Sequence, residues 1–282
     1  MKKLVFRLLQ AILILILVIA AVNILEPLRS VKLSEENRKC LEETVGRIRE
    51  GMEKSGTAEK TIVSEEKERI ACIDDNEEAL LLRLRMIEAA KEEVVFATFD
   101  FREDESGSDM MAAFYAAAER GVKVKLLLDG MNEFLYLERS ELFRALCTHE
   151  NVELRIYNPI DALHILNVNY RMHDKYLITD EQMYLLGGRN SNDIFLGDRK
   201  TGINEDREVF VYETKTGEGA SFLELEEYFS SIWEENCVKT KKFSLKAEKK
   251  EMAGAKLLER YKEICEKYPE LSRAADTDWT EE

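Results

Sequence analysis

Residues 169–193, NYRMHDKYLITDEQMYLLGGRNSND, decide how the rest of the chain is interpreted. They contain His173, Lys175 and Asp180 in the spacing H-x-K-x4-D, followed by a glycine turn and an amide at 187–190. On a β-strand, side chains at i and i+2 share a face, so His173 and Lys175 can meet one phosphate. A short H-x-K alone is more often a surface pattern on an edge strand. Because the motif here lies in a strand, a turn and a second strand with further matching residues, an active site is favoured over a surface pattern.

These residue types suit the cleavage of a phosphodiester. A neutral imidazole at His173 can attack phosphorus and form a covalent phosphohistidine. The Lys175 ammonium can neutralise a non-bridging oxygen as negative charge builds in the transition state. Asn190 adds a neutral donor, and the backbone N–H groups of Gly187 and Gly188 can approach closely because no Cβ blocks them. We therefore expect the substrate phosphate to bind at His173, Lys175, Gly188 and Asn190, without a cofactor or a metal ion.

The stretch resembles the HKD motif of the phospholipase D superfamily. RMHDKYLITD followed by GGRNSND is most similar to the cardiolipin synthase branch. The resemblance implies that His173 is the nucleophile, that Lys175 and Asn190 bind phosphate, and that a downstream acid orients the imidazole. In the segment EDREVFVYE that acid falls on Asp206. The predicted catalytic set is His173, Lys175, Asp180, Asn190 and Asp206.

Two points about this site stay open in the sequence. Glu205 and Glu208 lie next to Asp206 and are alternatives for the orienting role. The family mechanism also needs a second histidine to protonate the departing alcohol, whereas His149 and His164 lack the accompanying lysine and aspartate. Either two copies pair about a two-fold axis, or the chain corresponds to the first half of a two-motif enzyme. The resemblance to cardiolipin synthases favours the second alternative.

Strands and helices alternate over residues 69–238. This order predicts an α/β fold with a mostly parallel central sheet flanked by helices, and the resemblance implies a phospholipase D-like catalytic domain. Asp75 with Glu78, and Ser221 with Glu224, are typical helix-capping pairs, and Ser108 is a further candidate cap. Strands are predicted at 94–99, 122–128, 152–157, 174–179, 183–186 and 208–212, and helices at 110–120 and 141–147.

The N-terminus is predicted to be an uncleaved membrane anchor over residues 1–31. Lys2, Lys3 and Arg7 precede an apolar run at 8–25, whose eighteen residues would span about 27 Å as a helix. A cleavable signal peptide is the alternative, although the apolar run is longer than a usual signal core. The basic N-terminus predicts a single-pass protein of the cell membrane with an extracytoplasmic catalytic domain. A charged helical stalk at 32–68 and a charged helical tail at 239–282, with a helix at 252–268, complete the predicted organisation.

Composition narrows the function classes. A net charge of −15 argues against nucleic acid as a partner, because phosphate contacts require clustered lysine and arginine. The five cysteines contain no C-x-x-C pair that would indicate a zinc site.

The leading hypothesis for the function is a membrane-anchored phosphodiesterase or phosphatidyltransferase acting on phospholipids. The alternatives are a single-motif endonuclease working as a homodimer and a non-catalytic half-domain that serves as an interaction module.

Overall fold

A computed structural model of the chain describes residues 2–25, 39, 68–198, 202–215, 220–277 and 279. The chain divides into two compact units, one formed by Met1–Glu65 with Asp161–Asn169 and the other by Glu66–Ile160 with Tyr170–Glu282. The predicted stalk at 32–68 lies outside the described residues, apart from Lys39 and Glu68.

The first unit contains helix α1, Lys2–Leu25, and a 3-10 helix, Ile165–Asn169. Across the part of the chain that the structure describes, no helix combines the length and hydropathy that a membrane crossing requires. The predicted membrane-spanning helix within 1–31, and the single-pass localisation that depended on it, are therefore not supported.

The described part of the second unit is organised around one eight-stranded mixed sheet. Its strand order is β1-β7-β6-β5-β2-β3-β4-β8. The strands are β1 Glu68–Ile73, β2 Glu93–Thr98, β3 Lys123–Asp129, β4 Val152–Tyr157, β5 Lys175–Thr179, β6 Met183–Gly187, β7 Glu208–Glu213 and β8 Val238–Thr240. The strands predicted from the sequence are confirmed to within one or two residues.

The expectation of a mostly parallel sheet is wrong. Among the described strands, only β2–β3 and β3–β4 pair in parallel, and the remaining neighbours are antiparallel. Parallel pairing needs a crossover connection, and among described strands that are neighbours in the sheet, a helix connects only β2 to β3 and β3 to β4. The turn between β5 and β6 covers just residues 180–182, with Asp180 and Glu181 at positive φ. So short a connection permits only an antiparallel hairpin.

Helices cover both faces of the sheet. The described helices of this unit are α2 Asn76–Ala89, α3 Glu105–Glu119, α4 Glu141–Leu146, α5 Ala220–Trp233 and α6 Ala247–Lys267. On one face, the ring of Phe114 on α3 packs 5.0 Å from that of Phe96 on β2, measured between centroids. On the other, the ring of Phe229 on α5 lies 6.3 Å from that of Tyr176 on β5. The α/β class is therefore confirmed.

Two local predictions about helices change. Asp75 caps α2 as expected, accepting hydrogen bonds from two backbone N–H groups. Helix α3 begins earlier than predicted, because Asp104 rather than Ser108 caps it. The helix predicted at 252–268 in the charged tail also begins earlier, at Ala247, and it buries Leu257 completely in the core.

The strand register gathers the motif residues at one edge of the sheet. Thr98 at the carboxyl end of β2 pairs with Lys175 at the amino end of β5, and also with Leu128 near the end of β3. Gly187 at the end of β6 pairs with Glu208 at the start of β7. We call this the motif edge. It also carries the loops that follow β2 and β3.

Candidate active site

His173 and Lys175 are brought together at the start of β5. The Lys175 Nζ lies 2.9 Å from His173 Nδ1 and donates a hydrogen bond of 2.7 Å to the His173 carbonyl. The ring of Phe99 flanks both groups, with its centroid 4.6 Å from that of the imidazole and 5.5 Å from Nζ. The lysine is buried, whereas the histidine is exposed to an incoming substrate.

The surroundings of Lys175 lower its pKa, and its contact with Nδ1 bears on the tautomer of His173. Burial lowers the pKa of Lys175, while the nearby carboxylates of Asp174, Asp206 and Asp100 act in the opposite direction. When the ammonium donates to Nδ1, a neutral His173 ring carries its own proton on Nε2. Moving the lysine to another acceptor would free Nδ1 to take that proton.

Asn190 is held with a defined orientation at the end of the glycine turn. Its Oδ1 accepts a hydrogen bond of 3.2 Å from the Asp100 backbone N–H. The Asp100 carboxylate in turn accepts from Asn192 Nδ2 at 3.0 Å and from the Arg102 guanidinium. Because the Asn190 carbonyl is used inside the protein, its amide nitrogen is the group that can donate to a phosphate oxygen.

Gly188 lies against Asp206 and has no room for a side chain. A Cβ at position 188 would come within 2.1 Å of Asp206 Oδ2. The half-buried Asp206 also accepts a hydrogen bond of 2.7 Å from the Arg207 backbone N–H through Oδ1. Among the described contacts, none joins its carboxylate to the His173 ring. The structure therefore brings Asp206 to the site, beside Gly188, but does not place it on the imidazole.

The two alternatives to Asp206 have other environments. Glu208 is buried, and its carboxylate accepts hydrogen bonds of 2.8 and 2.5 Å from the Arg83 guanidinium. This ion pair fixes helix α2 to strand β7, so Glu208 is a structural residue. Glu205 is exposed to solvent. Of the three acids, Asp206 is the one whose carboxylate lies against Gly188 and acts electrostatically on Lys175.

Asp180 is not part of the constellation, contrary to the prediction. It follows the last residue of β5, roughly 17 Å from the start of this five-residue strand. Its carboxylate accepts hydrogen bonds from the backbone N–H groups of Lys91, Glu92 and Glu93 at 2.6, 2.8 and 2.9 Å. Asp180 therefore fastens the loop before β2 to the end of β5 and does not meet a substrate at His173.

Arg189, between the glycines and Asn190, was given no role in the sequence interpretation. It is fully buried and donates hydrogen bonds to the Asn76 side chain and to the carbonyls of Ile73 and Asp74 at 3.0, 3.0 and 2.5 Å. Its Nη1 also lies 3.5 Å from Glu208 Oε2. The side chain points into the core and anchors the turn that presents Asn190. No feature of the sequence distinguishes this inward arginine from a phosphate ligand.

Asp129 is a second positioning residue that the sequence interpretation missed. It is fully buried at the end of β3, and burial raises the pKa of its carboxyl group against the opposing charge of Arg171. Its Oδ2 accepts a hydrogen bond of 3.1 Å from the Met172 backbone N–H, and Oδ1 accepts one of 3.2 Å from Arg171. These contacts fix the segment that leads into His173. The sequence feature that could have indicated this role is the position of Asp129 directly after the apolar strand predicted at 122–128.

Helix α5 also contacts the motif. Tyr228 on α5 donates a hydrogen bond of 2.8 Å to Asp174 Oδ2, which connects the motif to this helix.

In the part of the chain that the structure describes, no group of three or more histidine, cysteine, aspartate or glutamate side chains is arranged to hold a metal ion.

The family model described as "Cardiolipin synthase, PLD-like domain" matches residues 84–233, more than half of the 282 residues. The chain belongs to this family within the phospholipase D superfamily, as the motif predicted. It is 30% identical over 143 residues to cardiolipin synthase C of Escherichia coli K12, covering 48% of this chain and 30% of that protein. Cardiolipin synthase B of the same strain is 32% identical over 127 residues, covering 44% and 30% of the two chains.

The chain thus spans about a third of the length of these curated relatives. Among solved structures, the phospholipase D family member Nuc from Salmonella typhimurium covers 62% of this chain and 98% of its own. Its TM-score is 0.46 and its sequence identity is 19%.

Proposed function

We propose that the chain is a phospholipase D-type phosphodiesterase or phosphatidyltransferase that acts on phospholipids through a phosphohistidine at His173. The contact between Lys175 Nζ and His173 Nδ1, with Asn190 on the same sheet edge, is the observation that carries this proposal. The names of the curated relatives, which are cardiolipin synthases, support a phospholipid as the substrate class.

In the proposed reaction, the Lys175 ammonium, the Asn190 amide and the Gly188 backbone N–H bind the non-bridging phosphate oxygens. As the lysine turns to the phosphate, the exposed His173 ring loses its Nε2 proton to water and takes one from water at Nδ1. The Nε2 lone pair then attacks phosphorus. The bond between phosphorus and the departing alcohol oxygen breaks. We assign Asp206 to hold the imidazole through Nδ1–H, because its carboxylate lies against Gly188, acts on Lys175 and is not held in a buried ion pair.

The departing alcohol needs a proton, and the phosphohistidine then needs an acceptor, which is water or a second alcohol. Both steps call for a second histidine, which we assign to another copy of this chain or to a further segment with its own motif. An exposed apolar row next to the glycine turn is the surface we assign to this partner. The row crosses β1, β7 and β6 through the paired residues Cys72, Val209 and Leu186.

Acid-quench trapping with phosphatidylglycerol labelled in its phosphate tests the covalent step. We expect an acid-labile label on His173, insensitive to chelator, that disappears in His173→Asn while the circular dichroism spectrum is unchanged. His149→Asn is the matched control, because His149 lies away from the motif edge beside Tyr115 and Glu119. Activity that vanishes with chelator and leaves no label on His173 would overturn the assigned chemistry.

The origin of the second histidine is tested by separating monomer from dimer before the assay. Turnover confined to the dimer fraction supports pairing of two copies. Equal turnover by both fractions would contradict the need for a second motif. A charged substitution in the apolar row, Leu186→Glu, is expected to shift the population to monomer and to lower turnover with it.

A further inference from the structure

Three consecutive apolar side chains protrude beside the motif edge. Phe134, Leu135 and Tyr136 are 54%, 59% and 43% exposed. They lie in a short π-helix, Glu133–Leu137, that follows β3 and the helical turn Gly130–Asn132. Isolated exposed apolar residues are ordinary on protein surfaces, but three in succession on one convex turn need an explanation.

The π-helix that carries these three side chains is anchored by buried residues on either side of them. The flanking residues Glu133 and Leu137 are 2% and 1% exposed. Lys241 donates hydrogen bonds of 2.8 and 2.9 Å to the two carboxylate oxygens of Glu133 and also pairs with Glu138, the residue after the π-helix. The apolar side chains are therefore presented by a fixed scaffold, so their exposure is a property of the fold.

The protrusion is connected to the active site through one arginine. The Arg102 guanidinium stacks over the ring of Tyr136 at 4.5 Å from its centroid and forms a bidentate ion pair with Asp100. The Asp100 backbone N–H is the donor that orients Asn190. The apolar turn therefore lies next to the phosphate-binding groups, on the same edge of the sheet.

We propose that Phe134, Leu135 and Tyr136 insert into the lipid surface and dock the motif edge onto a bilayer. The inference rests on the proposed phospholipid substrate, whose phosphate lies at the boundary between water and hydrocarbon. A site that reaches this phosphate brings its nearest protruding side chains against the acyl chains. Aromatic and aliphatic tips with an adjacent arginine are the side chains that such a boundary accommodates.

A second copy of the chain fits this turn less well. Three half-exposed side chains offer roughly 300 Å² of surface, whereas a stable protein interface buries about 800 Å² on each partner. The charge of the protein also disfavours an electrostatic mode of attachment, because a net charge of −15 is repelled by anionic lipid. Docking through apolar side chains predicts that lipid contact persists at high salt.

The test uses a local reporter in the full-length chain, because the apolar run at 8–25 would also draw the protein onto vesicles. Phe134→Trp is compared with Leu223→Trp, which replaces a 48% exposed side chain at the start of α5. Both are made in a His173→Asn background and mixed with phosphatidylglycerol and phosphatidylcholine vesicles whose acyl chains are brominated. The native Trp233 and Trp279 are buried and contribute a constant background.

We expect bromine to quench the tryptophan at 134 and not the one at 223, at both low and high salt. An unquenched residue 134, or equal quenching at both positions, overturns the proposal. A blue-shifted emission at 134 that appears without vesicles and disappears on dilution also overturns it, and assigns the turn to a second copy instead.

A second measurement separates this inference from the proposed function. In Phe134→Ser/Leu135→Ser, the ratio of turnover on vesicles to turnover of a water-soluble phosphodiester should fall on the order of tenfold per side chain. An unchanged ratio contradicts docking through this turn. Quenching is read in the His173→Asn background and does not depend on catalysis. Quenching at 134, together with a native chain that turns over no phospholipid, therefore refutes only the proposed reaction. An active protein that is unquenched at 134 refutes only the docking.

Discussion

Glu208→Gln is expected to destabilise the domain strongly although it changes only the charge of one buried side chain. The carboxylate is 1% exposed and faces two buried guanidinium groups, Arg83 at 2.5 Å and Arg189 at 3.5 Å. Glutamine keeps the volume, so no cavity forms, but it leaves two buried positive charges without a counterion. Removing one partner of a buried ion pair costs about 3–5 kcal/mol.

The magnitude should fall at the lower end of this range, because both arginines keep other acceptors. Arg83 also donates to the Ala79 carbonyl at 2.8 Å, and Arg189 to two further carbonyls. A loss of about 3 kcal/mol corresponds to a fall in Tm of roughly 6–12 °C for a domain of this size.

Urea and thermal denaturation followed by tryptophan fluorescence measure this loss. The control is Glu234→Gln, which removes a carboxylate that is 71% exposed and pairs with Arg155; an exposed pair contributes about 1 kcal/mol or less. A Glu208→Gln protein within about 0.5 kcal/mol of the wild type would refute the assignment of a buried network that anchors the Asn190 turn.

Three further predictions follow from the site and its surroundings. Lys175→Ala should lower kcat by about 100- to 1000-fold, the effect of deleting one donor to a developing oxyanion, while His173 can still be labelled; steady-state turnover and acid-quench trapping measure both. Asp180→Asn should lower the free energy of unfolding by about 1.5–3 kcal/mol, since a charged acceptor of backbone N–H groups is lost, without changing turnover per folded molecule. Burial raises the pKa of Glu133 to about 7, so the folded state binds this proton more tightly than the unfolded chain does. Stability should therefore fall as pH rises from about 4.5 to 7, and Glu133→Gln should remove this contribution in thermal melts at pH 5 and 7.5.

Each of these outcomes has a clear contrary result. Less than a tenfold loss in Lys175→Ala would remove the lysine from the phosphate clamp. A large loss of turnover in fully folded Asp180→Asn would return Asp180 to the catalytic set. If stability changes with pH to the same extent in the wild type and in Glu133→Gln, Lys241 compensates the buried carboxylate completely.

The sequence was informative where a pattern has one physical meaning. The apolar run at 94–99 predicted a buried strand. The i, i+2 spacing predicted that His173 and Lys175 share a face, and Lys175 Nζ lies 2.9 Å from His173 Nδ1. The glycine turn predicted that Asn190 is delivered from the end of the next strand, and its Oδ1 accepts a hydrogen bond from Asp100 after β2. In each case the predicted feature depends on residues close in the chain or on one strand, so local geometry decides the result.

The sequence was uninformative where the answer depends on partners distant in the chain. Strand periodicity does not specify which strand is the neighbour, and the antiparallel sheet follows from connections that the pattern does not encode. Asp180 belongs to the motif by spacing, and the strand predicted at 174–179 already separates it from His173. Its role depends on the backbone N–H groups of residues 91–93, which no local pattern connects to it. The role of Arg189 depends on Ile73, Asp74 and Asn76, which no local pattern connects to it.

The long-range contacts of the Asn190 turn imply a late step in folding. Arg189 meets Asn76 across 113 positions of the chain, and Arg83 meets Glu208 across 125. Closing such loops is slow, whereas the β2–α3–β3–α4–β4 segment is built from near neighbours and can form first. The turn that presents Asn190 would then become ordered only when β7 pairs with β1 and β6. Refolding should thus produce a compact but inactive species, with turnover recovering only in the slowest phase.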